Sequence, residues 1–139
     1  MIYTILLISL VSVLSTNASK ERVKVPPEII AKINAVDSQC VKDVGAPPDI
    51  LKKIIPWNLP DDDINQKYLF CLSHKLQMAN DNGTFDADKT MKIFANSNRL
   101  DDIRKNFSEC NLKSGKTKYE TIYIITNCFY SNVGIELTM

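Results

Sequence analysis

A chain of 139 residues, 45% hydrophobic and 24% charged, suffices for one globular domain and not for two independent cores. With 17 Lys plus Arg against 16 Asp plus Glu, it has no basic surplus to displace counterions from phosphates, which argues against a nucleic-acid partner. Four Gly, one His and four Cys exclude most chemistry built on glycine loops or histidine clusters.

Ile2 to Val13 are apolar almost throughout and lead into the small polar run Ser15-Thr16-Asn17-Ala18-Ser19. This stretch falls short of the roughly 20 apolar residues that a membrane span needs. It reads as a signal peptide over 1–18, cleaved after Ala18, although no charged residue precedes Lys20. The rest, 19–139, is expected to form a single helical domain in an oxidising compartment.

Pro26-Pro27 and Glu28 open a first helix, because proline is tolerated in the first turn and a carboxylate suits the positive end of the dipole. Ile29, Ile33, Val36 and Cys40 recur at helical spacing until Gly45. Pro47-Pro48 starts a short second helix carrying Ile50, Leu51, Ile54 and Ile55, which Pro56 stops. Asp61 to Asp63 supply the acidic start of a third, with Ile64, Tyr68, Cys71, Leu72 and Leu76 on one face, extending to Asn82-Gly83. Asp86 caps a fourth, bearing Ala87, Met91 and Phe94. Beyond Asn96-Ser97-Asn98 a fifth carries Leu100, Ile103, Phe107 and Cys110, and beyond Gly115 a sixth covers Lys118 to Asn132. From Thr121 to Ile135 no side chain is charged, and Ile122, Ile124, Ile125, Cys128 and Phe129 occupy most of the circumference. A helix apolar nearly all round must be surrounded by others. No strand is expected, and the alternating tail Ile135 to Met139 reads equally as a lid or as a frayed end. The class is all-α, six short helices around a central hydrophobic cavity.

Helices this short, interrupted by prolines, should cross at varied angles and leave a space between them. The expected lining is Leu51, Ile54, Tyr68, Leu72, Met78, Met91, Phe94, Ile103, Phe107, Ile125 and Phe129, with Tyr68, Tyr123 and Asn127 as polar contacts. The same pattern equally describes a plain core. Other signals are discounted. Asp81 to Asp86 lacks the terminal glutamate of a calcium loop, and Asp61-Asp62-Asp63 is read as a solvated cap. Asn82-Gly83-Thr84 in a loop and Asn106-Phe107-Ser108 in a helix are glycosylation sequons. There is no G-x-S-x-G elbow, and His74 has no evident nucleophile partner, so an enzyme, a cofactor or a metal site is not expected. One exposed histidine also makes a weak pH switch.

Cys40, Cys71, Cys110 and Cys128 are separated by 30, 38 and 17 residues. An even count in a short secreted chain implies two disulfides, in any of three connectivities, and no C-x-x-C spacing points to metal or redox chemistry.

That spacing, laid over six helices behind a signal peptide, resembles the insect pheromone and general odorant-binding proteins. Members with the full set carry six cysteines, and the second and fifth would fall here at Lys67 and Tyr119. The chain therefore looks like the four-cysteine "minus-C" subgroup. The resemblance implies Cys40–Cys71 and Cys110–Cys128 bridges and a looser seam between the third and sixth helices. It implies a secreted, extracellular carrier, monomeric or weakly dimeric, for a small lipophilic ligand, with a membrane chemoreceptor as a further partner. The alternative is a secreted interaction or signalling protein of venom or salivary type with a filled core. Trp57, between Pro56 and Pro60, would be packing in the first reading and a contact anchor in the second.

Overall fold

Residues 20–139 are described by a computed structural model, and the leader expected over 1–18 lies outside them. Helix α1 spans Pro27–Val44, entered through Pro26 and ended by Gly45 in the left-handed conformation (φ 74°), whose N–H donates to the Val41 carbonyl. The four-residue α2, Leu51–Ile54, follows. Asp62 caps α3 (Asp63–Lys75) by accepting from the Asn65 N–H at 2.9 Å. Asp86 does the same for α4 (Ala87–Met91) through the Lys89 N–H at 3.0 Å, and a 3₁₀ turn, Lys92–Phe94, continues it. Helix α5 covers Leu100–Cys110. Thr117 caps α6 (Lys118–Asn132) through the Glu120 N–H, while the Glu120 carboxylate accepts from the Lys116 N–H at 2.9 Å.

Three expectations need correction. The third helix stops at Lys75 rather than reaching Asn82-Gly83. Gln77 takes a positive φ of 60°, and the Met78 and Ala79 N–H groups turn back onto the Ser73 carbonyl at 3.0 and 3.1 Å. Apolar Leu76, Met78 and Ala79 continue the periodicity past this break, which hides it from a pattern reading. In the turn that follows, a Cβ on Gly83 would lie 2.2 Å from the Lys118 carbonyl oxygen, so the start of α6 requires glycine there.

The second correction is a two-stranded parallel ribbon among the described residues, where no strand was expected. Strand β1 (Glu21–Lys24) lies beside β2 (Ile135–Thr138), with Val23 opposite Leu137. Val23, Ile135 and Leu137 turn inward while Arg22 and Lys24 face solvent, the period-two pattern of a half-buried strand. Arg99 holds the far end, donating to the Val133 carbonyl at 2.9 Å and pairing with Asp102 at 2.5 Å. The tail is neither frayed nor free.

Helix α6 occupies the middle, packed on α3 and α5, with α1 across α3. Ile122, Ile125 and Phe129 are buried on it. Ile64, placed by its spacing on the inner face of α3, is instead 43% exposed at the helix start. The disulfides join Cys40 to Cys71 and Cys110 to Cys128, each with Cα atoms 5.7 Å apart.

Where the absent bridge would cross the α3–α6 seam, Lys67 and Tyr119 still meet. The Lys67 ammonium sits 5.8 Å from the Tyr119 ring centroid and pairs with Asp63 at 2.8 Å. Phe70 packs edge-on to Tyr119 at 5.4 Å, and the Lys118 ammonium lies over Phe70 at 4.7 Å. Exposed contacts of this kind are each worth about 0.5–1 kcal/mol, well below a covalent cross-link. The double variant Lys67→Cys/Tyr119→Cys, once oxidised, should slow amide exchange in α3 and α6 relative to wild type. Equal protection in both proteins would show that the aromatic seam is already as tight as a bridged one.

Candidate ligand-binding site

A pocket of about 90 Å³, partly open to solvent, lies between the ribbon, α1, the α2 end, α3, the α4 segment, α5 and α6. That is several times the roughly 10–15 Å³ that admits a single water. Its walls are hydrocarbon and aromatic: Ile33 from α1, Leu69, Leu72 and Leu76 from α3, Ile93 and Phe94 after α4, Phe107 from α5 and Phe129 from α6. Val25 and Leu137 close it on the ribbon side. The rings interlock, with Phe129 5.3 Å from Phe94 and 5.6 Å from Phe107, and Phe85 edge-on to Phe107.

Of the expected lining, Ile54, Leu72, Met78, Phe94, Phe107 and Phe129 come together on this wall. Tyr68, Met91, Ile103, Tyr123 and Ile125 do not; they are buried in packed interior away from the cavity. Leu51 is half-buried and lines a separate surface cleft, bounded also by Ile55, Pro56 and residues 136–139. Helical spacing reports that a side chain is inward but not whether its neighbours leave a gap, so core and lining look alike in the sequence. Ile33, Leu69, Ile93 and Tyr130 were missed for the same reason, and Val25 and Leu137 because the ribbon was not foreseen.

The three polar groups expected to face a guest have other partners. The Tyr68 hydroxyl donates to Asp37, and burial together with that carboxylate pushes its pKa well above the ordinary tyrosine value. The Tyr123 hydroxyl donates to the Leu59 carbonyl at 2.8 Å, and burial, with Asp61 and Asp62 nearby, raises its pKa. Asn127 accepts from the Trp57 indole N–H at 3.1 Å. The polar lining is instead Ser73, Thr90, Thr126 and Tyr130. Two of these are already spoken for, since Thr126 donates to the Ile122 carbonyl and Thr90 to the Asp86 carbonyl, both at 2.7 Å. Among the described residues no lining side chain is charged.

The discounted acidic clusters are engaged locally. Asp61 accepts from Gln66, Asp63 pairs with Lys67, and Asp81 meets His74 at 2.7 Å. Asn82 is exposed, and its side-chain oxygen accepts from the Thr84 N–H and hydroxyl. No helix among the described residues is long and apolar enough to cross a membrane.

The pattern of the PBP/GOBP family matches residues 23–132. The chain belongs to that family. Four cysteines in two bridges are consistent with its minus-C members. Among sequence relatives, odorant-binding protein 22 of Aedes aegypti is 25% identical over 73 residues, 52% of this chain and 53% of the mosquito protein. The chain thus spans about half the length of that curated relative in the match. Solved structures with the same fold include the Drosophila melanogaster odorant-binding protein OBP28a, 17% identical with a TM-score of 0.65 over 76% of this chain and 93% of that one. A Locusta migratoria odorant-binding protein is 22% identical with a TM-score of 0.63, covering 78% and 84%. A fatty acid binding protein, OBP56a, from the blowfly Phormia regina is 16% identical with a TM-score of 0.62, covering 76% and 92%.

Proposed function

We propose that this PBP/GOBP family chain is a secreted carrier that holds a small hydrophobic molecule in its internal cavity. The observation that supports it most is a hollow at the meeting point of six helices and the ribbon whose walls carry no charge. Moving apolar area from water onto such walls is worth roughly 25 cal/mol per Å². Ordering the guest offsets part of that, so affinity near micromolar with loose selectivity is expected. The leader expected over 1–18 and the two disulfides fit export to an oxidising compartment. The mosquito and blowfly proteins, named as an odorant binder and a fatty acid binder, support the same reading.

Trp57 gives the filled-core alternative little to stand on. It stacks on Tyr130 with centroids 5.5 Å apart and planes 14° from parallel, and its N–H is bonded to Asn127. Trp57 itself is half-buried, and the large exposed apolar residues Ile64, Leu112 and Met139 come from different parts of the chain.

The test is uptake of N-phenyl-1-naphthylamine by the refolded protein from residue 19 onward. Fluorescence should rise on binding and fall as short-chain alcohols or esters displace the dye. A flat titration, with the protein shown folded by circular dichroism, would overturn the carrier reading.

A further inference from the structure

Two sequons stand in the chain, Asn82-Gly83-Thr84 and Asn106-Phe107-Ser108, and neither has a proline in its middle position. Transfer of a sugar to a chain still entering the secretory compartment needs only the sequon; the fold decides whether the product can pack. The two sites differ on that count.

Asn82 stands at the tip of the tight turn that joins Ala79 to Phe85, which face each other as an antiparallel bridge. The turn is held from its inner side. The Asn80 N–H donates to the Thr84 carbonyl at 2.7 Å, and Gly83 is buried against the Lys118 backbone. The Phe85 N–H and carbonyl are both bonded to the Asn111 carboxamide, at 2.8 and 2.9 Å. Asn82 itself is exposed. Its Oδ1 accepts from the Thr84 N–H at 3.1 Å and the Thr84 hydroxyl at 2.6 Å, whereas among the described residues no protein acceptor takes its Nδ2. An amide substituted at nitrogen keeps its oxygen as an acceptor, so a group attached at Nδ2 leaves both turn bonds in place. Asn106, by contrast, is half-buried on α5, and the residue after it, Phe107, is buried cavity wall. A bulky polar group there would have to displace close-packed neighbours.

We propose that Asn82 is an N-glycosylation site of this protein and that Asn106 is left bare. In the transfer, Nδ2 attacks the anomeric carbon of an oligosaccharide carried on an isoprenoid diphosphate. The nitrogen–carbon bond forms as the bond from that carbon to the diphosphate oxygen breaks. The diphosphate leaves with the electron pair, and the amide nitrogen loses one proton to a base of the transferase. The inference rests on the reading of the chain as exported, since only then does it meet that enzyme.

The test is expression of the full chain in insect cells, with intact-mass and peptide mass spectrometry of the protein in the medium. Peptide-N-glycosidase F should lower the mass by one glycan and leave aspartate at position 82. Asn82→Gln and Thr84→Ala should each abolish that shift, Thr84→Ser should keep it, and Asn106→Gln should change nothing. Peptide mapping of wild type gives the same answer without a variant, should a substitution in the turn impair folding. The glycosylated protein and its enzymatically deglycosylated form should unfold at the same temperature, and a clearly lower value with the sugar attached would overturn the claim that the turn accommodates it. Secreted protein bare at Asn82, or carrying sugar at Asn106, would overturn the assignment and leave export standing. Chain retained in the cell with its leader intact would remove both.

Discussion

Replacing Cys40 and Cys71 together by alanine is expected to lower the free energy of unfolding by about 4 kcal/mol. The bridge closes a loop of 31 residues, and the chain-entropy relation assigns a loop of that length roughly this much, against about 3 kcal/mol for the 18-residue separation of Cys110 and Cys128. For a domain of this size the net stability is about 5–15 kcal/mol, so one bridge is a large share of the margin. Cys40 is buried, on the face of α1 that also carries Ile29 and Ile33, and the bridge fastens that face to α3. Alanine at both positions avoids a stray thiol and keeps both helices well formed. Urea unfolding of the double variant, with the slope held in common, measures the effect. A loss below about 1 kcal/mol would mean that α1 docks by its apolar stripe alone.

Phe129→Ala should cost about 3–5 kcal/mol, the usual range for removing a buried aromatic ring. The ring is buried in α6 and sits among Phe94, Phe107 and Tyr130 at 5.1–5.6 Å, so its loss removes dispersion contacts with all three. Because Phe129 is also cavity wall, the void it leaves should join the existing hollow. Two readouts should then move in opposite directions. The melting temperature should fall by more than 10 °C, while capacity for bulkier guests, such as bicyclic terpenoid alcohols, should rise. A variant that melts lower yet takes no larger guest would show that neighbouring rings collapse into the space.

Much of this architecture can be read directly from the chain, because its signals are local. Pro26-Pro27, Asp62, Asp86 and Thr117 mark helix starts by capping chemistry that involves only residues two to four positions away. The disulfide pairing is different in kind: counting cysteines leaves three connectivities open, and the choice came from family resemblance. The ribbon was invisible because each four-residue strand is too short to stand out and its partner lies at the other end of the chain. Cavity membership was only half legible. Leu72 and Phe107 line the hollow while Ile103 and Ile125, with the same spacing and greater burial, do not. The difference depends on how three or more helices cross, which no single periodicity encodes.

The parallel ribbon has a dynamic consequence. Its hydrogen bonds span the longest sequence separation in the fold, from Glu21 to Ile135, so closing that contact has the greatest loop-entropy cost and belongs late in assembly. What forms last with few bonds is also what opens first by local fluctuation. Leu137 of this ribbon and Ile55 beyond α2 are shared between the hollow and the outer cleft. Brief fraying of four residue pairs would therefore breach the partition between them while the cross-linked helical body stays intact, giving cargo a doorway without global unfolding.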